Sequence, residues 1–542
     1  MKNILIKKFL IVFTLIIYTS FCILPEAKAL YRDSYGEENL SETKIHFINV
    51  YNGDSILLES NGHFAMIDVG EDTDSPDGTD EKYPKRPGIN VGEGYEEKVI
   101  AYLKELGVKK LDFIIATHSH SDHIGSMPYI MDEFTVEKLY AKPYDDKYIS
   151  DENRLWDNQY VYDKMIKAAK SNNVTIIQKF DDKNTKFKLG EMELELFNYQ
   201  IDYDENGNRA VKSDENANSM GAKVTVGKNK AFLAGDIEYE VEQKIAKQVG
   251  KVDLLKLGHH GLSTSSSLSF LKELNPKIMI NSGLFTNFSA QTLKSINQIG
   301  SKVYTTEFFK KSIIVDMKAT NIKIINPETL YYDAKNENWY FLNNGKMVKD
   351  SWQDVFYREG YSKYYFDKEG KALKDGFVTI DGKQYYVDEY GKFTMGWLKL
   401  ENKWYYITFE DGFKTGWIDV NSNKYYLDSN GVMQTGWLTI NNKKYYFDYE
   451  DGAMAVGFKE INGKKYYFDE DGVMVTGFIE INGKKYYFDK NGVMAVGFKE
   501  INGKKYYFDK NGVMAMGFVK INGDTYYFGK DGKAVTGWVR IG

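Results

Sequence analysis

Apolar and polar positions fall into two regimes along the chain. In the first, residues 44–58 (KIHFINVYNGDSILL) read as two strands joined at Asn52-Gly53-Asp54, and Asn61-Gly62 between LLES and HFAMIDVG predicts a hairpin. Helical spacing takes over at Val99, Tyr102, Leu103 and Leu106, with Gly107 as its stop. A buried-type strand at 111–116 follows. Farther on, 156–169 predicts a helix, 174–178 and 192–199 strands, 220–226 with 230–234 a hairpin, 237–249 a helix and 253–257 another buried strand. Strands and helices in this order, with short connections, predict a mixed α/β domain. The polar stretch 71–94, with Pro76, Pro84 and Pro87, is long enough for a rim or lid.

From about Asn326 the regime changes. Tyrosine pairs recur every 20 or 21 residues from Tyr364/Tyr365 to Tyr526/Tyr527, and glycine-aromatic pairs keep the same beat from Gly376-Phe377 to Gly537-Trp538. Such a period predicts a solenoid of short β-hairpins, each burying an aromatic face on the next.

Length and composition narrow the picture. At 542 residues more than one domain is expected. The expected division is 1–29, 30–43, 44–325 and 326–542. The first segment has Lys2, Lys7 and Lys8, an apolar run at 9–24 and then Ala27-Lys28-Ala29, the order of a secretory signal peptide cleaved after Ala29. Residues 30–43 are polar and read as a loose N-terminus. The one cysteine, Cys22, lies inside the leader, so the mature chain is expected to hold no thiol and no disulfide. No later run is apolar enough to span a bilayer. A net charge of −6 argues against a generally cationic nucleic-acid or membrane binder.

The candidate chemistry sits after apolar strands. Thr117-His118-Ser119-His120-Ser121-Asp122-His123 follows the strand at 111–116, Asp236 follows the hairpin, and His259-His260 follow the strand at 253–257. Five of the chain's seven histidines lie in these motifs. Imidazole nitrogen and carboxylate oxygen suit Zn²⁺, Mn²⁺ or Fe. Asp68, at a strand end, reads either as a support for a metal ligand or as a turn residue. Lys256 would offset phosphate charge or point to the surface, and Ser263 to Ser267 read as a loop.

The motifs THSHSDHIG at 117–125, LAGD at 233–236 and LKLGHHG at 255–261 resemble the metallo-β-lactamase fold superfamily. The opening HFINVYNGDSILL with MIDVG is similar to the branch containing the competence nuclease domain and cell-wall phosphorylcholine esterases. The resemblance implies an αββα sandwich and two divalent metal ions, zinc first, manganese or iron next. His118 and His120 would bind the first ion, Asp122 and His123 the second, and Asp236 both. One of His259 and His260 would complete the second site, and Asp68 would orient ligands from behind. No histidine lies between His123 and His259, so the first site is short of one ligand. The other member of the histidine pair, a water or Asn218 would supply it. Asp122, Asp236 and Lys256 form the expected catalytic set.

The repeats resemble choline-binding repeats of cell-wall proteins and the short repeats of clostridial toxins. In a choline site, aromatic rings hold a quaternary ammonium by cation–π attraction. Trp397, Trp404, Tyr405, Trp417, Tyr425 and Trp437 make the central repeats the expected ligand sites, with the others binding glycan or serving as spacers. The expectation is a secreted, wall-associated phosphodiesterase acting on phosphocholine or related teichoic-acid substituents. Its partners would be a phosphodiester substrate and, through the repeats, a wall polymer. The alternatives are a secreted nuclease, which would take nucleic acid, and an adhesin with a vestigial hydrolase domain.

Overall fold

The computed structural model describes residues 42–90, 92 and 94–537. The expected signal peptide, its cysteine and residues 30–41 lie outside the described residues. No helix among the described residues is long and apolar enough to cross a membrane. The chain divides into two compact units between Leu373 and Lys374.

Two large sheets dominate the first unit. One runs, edge to edge, through Lys323–Ile324, Ser312–Asp316, Thr43–Ile48, Ser55–Ser60, His63–Val69, Phe113–Ala116, Lys138–Ala141 and Thr175–Ile177. Its last four strands are parallel, and parallel neighbours need crossover connections. Helices Glu96–Glu105, Met127–Glu133 and Asn158–Ser171 lie in those connections, burying Val99, Ile130 and Met165 in one core with Met66, Ile114 and Leu139. The other sheet is ordered Lys346–Met347, Asn338–Asn343, Glu328–Asp333, Lys302–Thr305, Ile278–Asn281, Leu254–Lys256, Asn229–Ala234, Gly221–Val226, Met192–Phe197 and Lys186–Leu189. Helices Tyr239–Val249, Leu268–Leu274 and Ala290–Ile299 connect its parallel strands. Phe187 joins the two sheets, its ring 5.0 Å from Phe113 and 4.8 Å from Tyr140. This is the mixed α/β layering read from the sequence.

The aromatic-rich chain after Asn326 does not leave the first unit at once. Glu328–Asp333 and Asn338–Asn343 extend the second sheet, and Trp339, 1% exposed, places its ring 4.6 Å from Phe285 and 5.1 Å from Phe308. Composition therefore changes earlier in the chain than the compact unit does.

In the second unit each repeat is built on a hairpin, such as Gly457–Ile461 with Lys464–Phe468, and in one of them Gly412–Phe413 adds a third strand to Gly396–Leu400 and Lys403–Thr408. The aromatic that closes the return strand is fully buried in Phe447, Phe468, Phe488, Phe508 and Phe528. The loop after each hairpin bonds to the hairpin before it: Met454, Met474, Met494 and Met514 donate their N–H to the carbonyls of Lys424, Lys444, Lys465 and Lys485. The methionine side chain then lies on the next loop glycine. At Gly472, φ is +77° and a Cβ would run into the Met454 sulfur, so both backbone and space demand glycine.

One polar contact in the first unit makes its stability pH-dependent. His46 is buried, with Nδ1 2.8 Å from the Tyr102 hydroxyl and Nε2 3.0 Å from Glu59. Burial holds the His46 pKa below its usual 6.5, although Glu59 pulls the other way. The Glu59 carboxyl is also held low, because His46 and Lys44 outweigh its own burial. The neutral His46 contribution is full above pH 6.5 and is lost as pH falls through that value towards the lower folded pKa; the Glu59 contribution goes below pH 4.5. The thermal midpoint of this unit should therefore fall between pH 7 and pH 5. His46→Gln should flatten that slope, as followed by circular dichroism.

Candidate metal centre

Strand ends bring the candidate residues to one point. Phe113–Ala116 runs into Thr117 to His120, and the short helix Ser121–Ile124 carries Asp122 and His123. Asp236 follows strand Asn229–Ala234, and His259 and His260 follow Leu254–Lys256 in a tight turn with φ of 45° and 50°. The loop before Ser55–Ser60 is clamped to the same place: the Asp54 N–H donates to the Asp122 carbonyl at 3.1 Å. A Cβ on Gly53 would lie 2.6 Å from that oxygen.

Two donor groups share Asp236. Asp122, His123, Asp236 and His260 form one, and His118, His120 and Asp236 the other. In the first group, His123 Nε2 is 3.2 Å from Asp236 Oδ1, and His260 Nε2 is 3.2 Å from Asp122 Oδ2 and 3.4 Å from Asp236 Oδ2. In the second, His118 Nε2 and His120 Nδ1 approach to 2.9 Å, and His118 Nε2 is 4.0 Å from Asp236 Oδ2.

The outward nitrogens are fixed from behind. His123 Nδ1 donates to Asp68 Oδ2 at 2.8 Å, while Thr117 donates to Asp68 through both its N–H and its hydroxyl. His260 Nδ1 donates to the Ser282 carbonyl at 2.7 Å. These bonds leave His123 Nε2 and His260 Nε2 as lone-pair donors turned inward. Together with His120 Nε2 and Asp236 Oδ1 they are buried with no hydrogen-bond partner. Orphaned buried polar atoms are costly, and three of these, His123 Nε2, His260 Nε2 and Asp236 Oδ1, converge and by their imidazole and carboxylate chemistry fit a divalent metal ion, whereas His120 turns Nε2 to Asp214 and Nδ1 to His118. Burial opposes charge on His123, but Asp236, Asp122 and Asp68 outweigh it and hold its pKa well above the usual value. His260 is likewise pushed up to about 10 against its burial, chiefly by Asp236. Divalent cations would supply the positive charge these carboxylates draw from the imidazoles.

His259 stands at the edge of the second group. Its Nδ1 is 2.6 Å from Thr264 Oγ1 and 3.2 Å from Glu238, and its Nε2 is 3.8 Å from Asp236 Oδ2 and 3.3 Å from Asn216. Asn218 is turned to Glu215, to which its side-chain amide donates at 2.8 Å, and its main-chain carbonyl accepts from Lys142. Lys256 also differs from expectation. It is fully buried, ion-paired with Asp54 and bonded to the Gly235 carbonyl at 3.2 Å, so it faces a protein carboxylate and not a substrate. Sequence reasoning passed over Asp54, Asp214 and Asn216. Asp214 Oδ1 lies 3.4 Å from His120 Nε2, and Asp54 Oδ2 lies 3.8 Å from His123 Nδ1.

Comparison with known proteins agrees with both architectures. Residues 48–282 match the metallo-beta-lactamase superfamily. Residues 414–457 and 455–497 match the choline-binding repeat, and 375–392, 395–412, 496–514 and 516–534 match a cell wall binding repeat. The chain carries a metallo-beta-lactamase domain followed by choline-binding repeats. That domain is similar to ComE operon protein 3 of Bacillus subtilis (strain 168), 26% identical over 243 residues, which are 44% of this chain and 28% of that protein. Recombination protein 2 of Haemophilus influenzae is 40% identical over 70 residues, 13% of this chain and 9% of that one. The chain thus spans less than a third of the length of these curated relatives. Among solved structures, CbpJ from Streptococcus pneumoniae TIGR4 is 27% identical, covering 39% of this chain and 92% of that one, with a TM-score of 0.34. Choline binding protein F from Streptococcus pneumoniae, solved with a peptidoglycan analogue, is 22% identical over 39% of this chain and 93% of that one, with a TM-score of 0.32. The metallo-beta-lactamase superfamily match supports a metal-dependent hydrolase, and the choline-binding repeats suggest association with the cell wall.

Within the choline-binding repeats, the rings sort by face. Trp397 is surrounded by Tyr406 at 5.0 Å, Tyr425 at 4.9 Å and Trp404 at 6.3 Å. Tyr405, another candidate of the central repeats, lies 5.4 Å from Phe413, which is 5.3 Å from Phe377 of the preceding hairpin. Successive strand residues point to opposite faces, so Trp404 shares a face with Tyr406 and not with Tyr405. Trp417, 40% exposed, meets Tyr426 at 5.2 Å and Tyr445 at 5.1 Å.

Proposed function

We propose that the protein is a secreted, wall-associated phosphodiesterase with a dinuclear metal centre, acting on phosphocholine or related teichoic-acid substituents, and that its repeats bind the wall polymer. Asp122, His123, Asp236 and His260 would hold one ion, and His118, His120 and Asp236 the other, with His259 as its further ligand. Two divalent ions, zinc in the first instance, supply Lewis acidity toward a phosphoryl oxygen and an activated water. The chain's own part is to hold the lone pairs in place. Asp68 keeps the Nδ1 proton on His123, the Ser282 carbonyl keeps it on His260, and Thr264 and Glu238 steady His259.

The observation that carries the choice of substrate is the charge around the centre. Asp157 and Asp214 adjoin it, with Asp214 held low, against its own burial, by His120, while burial, with Asp122 and Asp157, pushes the Glu71 pKa up to about 8 and leaves that carboxyl neutral near pH 7. The nearby cations are already engaged: Lys256 with Asp54, Arg154 with Asp214, Lys164 with Asp72 and Asp74, and Arg86 with Asp146. Trp156 stands edge-on to His120 at 5.0 Å. Acidic and aromatic surroundings favour a phosphodiester with a cationic head over a polyanion. The alternative is a secreted nuclease, with nucleic acid as its substrate.

The test is a panel of p-nitrophenyl phosphorylcholine, bis(p-nitrophenyl) phosphate and single-stranded DNA. Turnover of the choline ester should exceed that of the generic diester by roughly tenfold, the scale of one cation–aromatic contact, and vanish on chelation. Cleavage of DNA alone would establish the nuclease instead, and turnover indifferent to chelation would sink the metal centre.

A further inference from the structure

Each hairpin of the second unit presents a face made by the aromatic after glycine, the residue two farther on, and two residues of the return strand. In Gly396–Leu400 with Lys403–Thr408 these are Trp397, Lys399, Trp404 and Tyr406, with Trp397 opposite Tyr406 and Lys399 opposite Trp404. In the five hairpins that follow, lysine stands where Trp404 stood: Lys424, Lys444, Lys465, Lys485 and Lys505. Opposite them are Asp419, Thr439, Glu460, Glu480 and Glu500. Lys444 thus differs from the other four in facing an uncharged residue. Its Nζ lies over the Trp437 ring, 4.5 Å from the centroid.

That ring is the centre of a cage. Tyr446 is 5.2 Å from it, Tyr466 4.9 Å and Phe468 5.8 Å, matching Tyr426, Tyr445 and Phe447 around Trp417, while around Trp397 a second tryptophan, Trp404, stands where Lys444 does and Leu427 where Phe468 does. An ammonium at 4.5 Å occupies the position a ligand cation would take on the ring face. A second cation brought there would meet both an occupied face and a like charge.

We propose that Lys444 is the built-in occupant of the Trp437 cage and closes it to quaternary ammonium ligands, leaving choline to a cage such as that of Trp417, where Lys424 faces Asp419. This rests on the reading of the repeats as choline sites. Lysine here is a specificity residue, and its removal opens a site. Gln384 holds the equivalent position in the hairpin of Gly376–Ile380 and Lys383–Val387, so Lys444→Gln is compatible with the fold.

Equilibrium dialysis of the full chain with labelled choline tests this. Lys444→Gln should bind one more choline per chain than wild type, and adding Trp437→Ala should remove that one. Trp437→Ala alone should leave the wild-type number unchanged. An unchanged count in Lys444→Gln, or a loss of one in Trp437→Ala alone, overturns the proposal. If wild type binds no choline while Lys444→Gln binds one, the choline reading of the natural repeats fails and the role of Lys444 stands.

Discussion

Asp236→Asn should leave the fold intact and reduce turnover at least roughly 10³-fold, because it removes the carboxylate common to both donor groups. The amide keeps the shape of the side chain, and the backbone bond from the residue 236 N–H to Ser219 Oγ at 2.9 Å is untouched. What changes is the charge and the sense of one contact. Asp236 Oδ1 faces His123 Nε2 at 3.2 Å, and Oδ2 faces His260 Nε2 at 3.4 Å. An amide places an N–H₂ donor on one side and loses the negative charge on both. Metal content, by elemental analysis of the purified chain, should fall from two ions to near none. His259→Ala should lose only one. An Asp236→Asn chain that retains both ions would contradict the shared role of this carboxylate.

Lys256→Met should destabilise the first unit by about 3–5 kcal/mol, the usual cost of stripping one partner from a buried ion pair. Lys256 is fully buried and Asp54 is 1% exposed, so the stranded carboxylate would have no route to water. It would also stand 3.8 Å from the His123 and His260 Nδ1 atoms, in the centre itself. Replacing both members, as Asp54→Asn with Lys256→Met, should recover most of the loss, since a buried pair contributes little beyond mutual neutralisation. Calorimetric scans of the full chain would show this as a shift of the hydrolase transition with the repeat transition unmoved. A Lys256→Met chain as stable as wild type would mean that Asp54 is protonated or otherwise compensated.

The same pair shows where the sequence could be read and where it could not. His118, His120, Asp122 and His123 are legible because six residues of chain hold them together, whatever the rest of the fold does. Asp54 and Lys256 are more than two hundred residues apart, and only the packing of the loop before Ser55–Ser60 against strand Leu254–Lys256 makes them partners. No local pattern carries that, so Lys256 read as a candidate for substrate charge. Asp214 and Asn216 were hidden for a related reason: they lie in a weakly patterned stretch, and their significance comes from His120 and His259. Tyr405 is a different case. The alternation that separates it from Trp404 is local and was available from the sequence; what was not local is that the first tyrosine of each pair faces the preceding hairpin.

The bonds from Met454, Met474, Met494 and Met514 to the hairpin before each of them make the second unit a series of nearest-neighbour joints, each like the last. Excision or duplication of one twenty-residue unit preserves every joint on either side. A gene encoding such an array can lengthen or shorten its product by unequal crossing-over without passing through an unfolded intermediate form. Tether length is thereby open to change in whole steps, while the catalytic half is left as it was.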